Sequence, residues 1–114
     1  LSIQNNFVPL QHQIKKYKSI RIMGQISNIV NNEAVGNTFF NLYDRWRDES
    51  EYEDINEYGK VLANTIAKQF PTYNISLIKA TKRPFGVQIK VCEVNVHVWV
   101  KLKGRYASIC AKRI

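Results

Sequence analysis

The chain has 114 residues and 13.3 kDa, with 45% hydrophobic and 11% aromatic residues, enough for one core and without room for a second domain. This composition excludes a disordered chain, and no run approaches the roughly 18 apolar residues of a membrane span. The net charge of +8 is segregated: residues 1–43 carry +3, residues 44–57 carry −5 and residues 58–114 carry +10. A segregated excess of cations is what a polyanion-facing surface needs, although solubility alone also favours a charged surface.

The first residue is Leu1 rather than methionine, as in a chain trimmed or excised from something longer. Gln4, Asn5 and Asn6 interrupt any apolar signal-peptide core. Cys92 and Cys110 are too few for a disulfide framework, and their apolar setting suggests reduced, buried thiols in a cytoplasmic protein. Two Cys and two His without ligand spacing give no reason to expect a metal or another cofactor.

In chain order, Leu1 to Gln13 is weakly patterned, and Pro9 limits it to an edge strand or an extended arm. Lys15, Lys16 and Lys18 form a basic step before Ser19–Val30. There the β-branched Ile20, Ile22, Ile26, Ile29 and Val30 predict a strand bulged at Gly24. Asn28, Asn31 and Asn32 supply turn chemistry.

Glu33–Glu49 is predicted to be a helix, since Val35, Phe39, Tyr43 and Trp46 recur at helical spacing. Gly36 costs about 1 kcal/mol inside a helix, which moves the expected start towards Asn37 or Thr38. A second helix is expected over Asp54–Phe70, with Ile55, Tyr58, Leu62, Ile66 and Phe70 on one face and Pro71 as its stop. Asp54 and Glu57 have capping-box spacing. The acids from Asp48 to Glu57 are accounted for by the positive end of that helix, a metal site being the sharper and less favoured reading.

From Ile75 onward, alternation of apolar and polar residues predicts strands. Arg83-Pro84-Phe85-Gly86 interrupts the first pair and forms the tip of a basic ribbon. Val87, Ile89 and Val91 lie on odd positions, whereas Val94, Val96, Val98, Val100 and Leu102 lie on even ones. The switch at Cys92–Glu93 is either a bulge in one long strand or a turn, and without glycine or proline a bulge is favoured. Gly104 then turns the chain into a final strand or short helix over Tyr106–Ile114. The expected fold is therefore a single basic α+β domain over residues 1–114, an antiparallel sheet of about four strands packed against two amphipathic helices.

Binding is the function class this pattern favours. Lys79, Lys82, Arg83 and Lys90 on the ribbon, with Lys101, Lys103 and Arg105 beyond it, would neutralise phosphates. Phe85 would stack or wedge, while Trp99 and Tyr106 are further stacking groups and Lys112 and Arg113 extend the field. The expected function is thus a non-catalytic nucleic-acid-binding domain, DNA or RNA. A protein-interaction or inhibitor module is the alternative, with exposed aromatic anchors. A second alternative is a small metal-independent ribonuclease using His12 and His97 as an acid–base pair. Gln88-Ile-Lys90 is similar to the acid-x-Lys element of metal-dependent nucleases of the restriction-enzyme fold. Ile75 to Lys82 offers no carboxylate to anchor the metal, so that reading is set aside.

Overall fold

The computed structural model describes residues 21–49 and 54–114. The expected arm at Leu1–Gln13, the basic step at Lys15–Lys18 and His12 lie outside the described residues. Three helices and a four-stranded sheet are described: α1 over residues 21–30, α2 (Glu33–Glu49), α3 (Ile55–Gln69), a short 3-10 turn (Pro71–Tyr73), β1 (Ser76–Lys82), β2 (Phe85–Val91), β3 (Val94–Lys103) and β4 (Tyr106–Arg113). The strands form an antiparallel meander in the order β1-β2-β3-β4, so the α+β expectation is met.

Residues 21–30 are helical, which corrects the strand expected at Ser19–Val30. Ile22, Gln25 and Ile29 are buried and Ile26 is half-buried. Their spacing places them on one helical face, and packing of that face overrides the weak helix propensity of β-branched residues. Asn31 and Asn32 break the helix. The Asn32 side-chain oxygen accepts the Val35 N–H at 3.0 Å, so α2 is capped ahead of Glu33 and runs through Gly36. Asp54 caps α3 by accepting the Asn56 N–H at 2.9 Å.

The helices cover one face of the sheet. Phe39, Leu62 and Ile66 meet Val87, Ile89, Val96 and Val98 in the core, while Tyr43, Trp46 and Phe70, from the predicted helix faces, are half-buried against it. Full burial of each such aliphatic side chain contributes about 1.5–3 kcal/mol. Gly59 of α3 lies against β1 so closely that a Cβ there would sit 2.8 Å from Ala80 Cβ.

The switch at Cys92–Glu93 is a two-residue hairpin turn, not the favoured bulge. Val91 pairs with Val94, and Cys92 and Glu93 have φ of 49° and 70°. This is the left-handed pair of a type I′ turn, normally supplied by Asn-Gly. Here it is held from outside, because the Cys92 N–H donates to the Tyr73 carbonyl at 2.8 Å. A bulge does occur, in β1 between Leu77 and Lys79. Both cysteines are free thiols and half-buried.

Candidate functional site

The face of the sheet turned away from the helices is built by register. Cross-strand partners place Lys79, Gln88, His97 and Lys112 in one row, and Thr81, Gly86, Trp99 and Cys110 in the next. Beyond them lie Lys101 with Ser108, then Lys103 with Tyr106; on the other side Lys90 pairs with Asn95. Strands lie about 4.8 Å apart and successive rows about 6.7 Å apart. Lys79, Lys90, Lys101, Lys103 and Lys112 are all exposed there. None of the four strands contains an acidic residue.

His97 stands near the middle of this field. Its ring stacks on Trp99 at a centroid distance of 4.8 Å and 29° between planes. Gly86 has no side chain in the adjacent row, and Nε2 of His97 lies 3.1 Å from Thr81 Oγ1. Burial, then the ammonium groups of Lys112 and Lys79, push the His97 pKa below the ordinary 6.5. The imidazole is therefore neutral at pH 7, a flat partner for Trp99 rather than a further cation. His97 thus contributes a stacked ring here, while His12, its expected acid–base partner, lies outside the described residues.

The expected site residues divide into groups. Lys79, Lys90, Lys101 and Lys103 share the open face, and the bulge in β1 gives Lys79 its place opposite Gln88. Lys82 pairs with Phe85 and belongs to the helix side at the sheet's end, although its side chain is exposed. Arg83 sits in the β1–β2 turn and Arg105 in the β3–β4 turn. Phe85 corrects its expectation, being only 2% exposed. Its ring centroid lies 5.7 Å from Tyr43, 5.3 Å from Trp46 and 6.1 Å from Tyr58, and it is a core residue.

Among the described residues no group of three or more His, Cys, Asp or Glu could hold a metal ion, and no helix is long and apolar enough to cross a membrane. The contribution of Lys112 beside His97 was obscured by missing register. Gly104–Arg105 as a two-residue turn pairs Lys103 with Tyr106, and counting back sets Lys112 opposite His97. Compared with protein-family models, curated proteins and solved structures, the chain matches none significantly.

Proposed function

We propose that the protein binds nucleic acid without catalysing a reaction on it, through the open face of the sheet. The observation that carries this reading is the exposed row system of Lys79, Lys90, Lys101, Lys103 and Lys112 around the His97–Trp99 stack, on strands that carry no acid. Cations on a rigid sheet track phosphates without reading sequence, and their affinity comes from released counterions. Two free thiols fit a cytoplasmic setting for such a protein.

Fluorescence anisotropy against duplex DNA, single-stranded DNA and RNA over a salt series tests it. With five lysines on phosphates, log K against log salt slopes about −4.5 on duplex and about −3.5 on single strands. Undetectable binding to all three at low salt refutes the reading.

A second reading, a protein-interaction module, has its own observation. An apolar groove between α1 and β4, lined by Ile22, Met23, Ile26 and Ile109, is flanked by Lys112 and Arg113, which suits an apolar segment bearing acids. Its signature is association with such a segment that survives high salt.

A further inference from the structure

The two hairpins end at different heights. Pairing between β2 and β3 stops at Gly86 and Trp99, whereas β3 and β4 continue to Lys103 and Tyr106. The overhang leaves a notch of about 570 Å³ beside the Arg83–Pro84 turn. Trp99, Lys101, Lys82, Arg83 and Arg47 line it, over a floor that includes Phe85. Gly86 lets the turn approach this closely, since a Cβ there would lie 2.6 Å from Trp99 Cα. Among the described residues, only Arg47 of these four cations has acids beside it, Asp44 at 3.6 Å and Asp48 at 3.8 Å.

From this arrangement we infer that the notch takes one unpaired nucleobase of a single strand. The base lies on Trp99, and its flanking phosphates lie on Lys82, Arg83 and Lys101. The inference rests on the nucleic-acid reading above and narrows it to single strands. The chemistry is complementary on both counts: a flat aromatic wall for the base, and cations of one sign at the rim for its phosphates. The volume falls within the range of small-molecule sites. His97 already stacks on Trp99 at 4.8 Å, so Trp99 is held in place before a base arrives. A base in a duplex has both faces covered by its neighbours, and offers no surface to Trp99 until it is unstacked.

The test uses ten-nucleotide strands of thymidine and of uridine, a duplex of equal length, and thymidine monophosphate, each at low salt. Tryptophan emission and affinity are followed for the wild type, Trp99→Leu and Trp99→Phe. The single strands are expected to quench emission saturably; because Trp46 also lines the notch, the quench should shrink in Trp99→Phe rather than vanish, and an undiminished quench would argue against a base on Trp99. Trp99→Leu should weaken single-strand binding about 5- to 150-fold with an unchanged salt slope, and should weaken duplex binding less than single-strand binding. Trp99→Phe, which keeps a stacking face, should retain most of the affinity and keeps the test valid if the leucine variant does not fold. Binding of the monophosphate as tight as that of the strand would overturn the assignment to a strand. Single-strand affinity indifferent to Trp99→Leu, or emission unmoved by single strands, would overturn the notch inference while duplex binding still upheld the broader reading. Absence of binding to every probe would remove both.

Discussion

Phe85→Ala separates the two roles that a phenylalanine beside a hairpin turn can have. If the ring were a stacking group on the surface, its removal would weaken binding and leave stability alone. The structure puts it at 2% exposure, within 5.3–6.1 Å of the Tyr43, Trp46 and Tyr58 rings. Truncating a buried phenylalanine costs about 3–5 kcal/mol. Each aromatic pair adds about 0.5–1.5 kcal/mol beyond burial, but the three share one ring and do not sum. We therefore expect a loss of about 4 kcal/mol, a large share of the roughly 5–15 kcal/mol that holds a domain of this size. Urea denaturation followed by circular dichroism measures it as a shift in midpoint at constant m. Phe85→Leu keeps most of the volume and should lose about 1–2 kcal/mol, so it remains measurable if the alanine variant is unfolded. Its salt slope on duplex DNA should match wild type, because no cation is removed. A loss below about 1 kcal/mol for Phe85→Ala would refute the core placement.

Two glycines predict opposite signs. Gly86→Ala drives a Cβ to 2.6 Å from Trp99 Cα and should cost at least about 2 kcal/mol in the same assay, since backbone must move. Gly24→Ala meets nothing within 4 Å and should stabilise α1 by about 0.5–1 kcal/mol; a loss there would argue against a helix at residues 21–30. For His97, whose folded pKa lies below 6.5 through burial and the nearby Lys112 and Lys79, the unfolded chain takes up the proton first as pH falls. Its contribution to stability is full above the unfolded value and declines as pH falls through it towards the folded one. Thermal melts from about pH 7.5 down to about pH 5 should show that decline, and His97→Gln should flatten it. Affinity for nucleic acid should move the other way over that window, because nearby phosphate favours the imidazolium.

The helices α2 and α3 were legible because aromatic and aliphatic residues recur at helical spacing, and because Asp54 and Pro71 mark the ends of one of them. Residues 21–30 misled because isoleucine favours strands locally, while the burial of Ile22 and Ile29 that decides the matter is tertiary. The turn at Cys92–Glu93 has no local signal, since it depends on the carbonyl of Tyr73, 19 residues away. That turn carried much of the site with it. Once Val91 is paired with Val94, Gln88 falls opposite His97 and the open face can be written row by row. The basic residues were legible individually, but their division between the open face and the sheet's end needed the bulge before Lys79 and the overhang of β3. Phe85 was ambiguous in the sequence because the rings that enclose it come from α2 and α3, both far from it in the chain.

On the proposed reading, the open face of the sheet, rather than the overall charge, binds nucleic acid. Two double variants that remove equal charge test it most directly. Lys79→Gln with Lys112→Gln strips the two cations flanking His97, while Lys60→Gln with Lys68→Gln removes two exposed lysines from α3. The first pair is expected to reduce the salt slope by about 1.8 on duplex DNA or about 1.4 on a single strand, and the second to leave it unchanged. Equal reductions from both pairs, or none from the first, would contradict it.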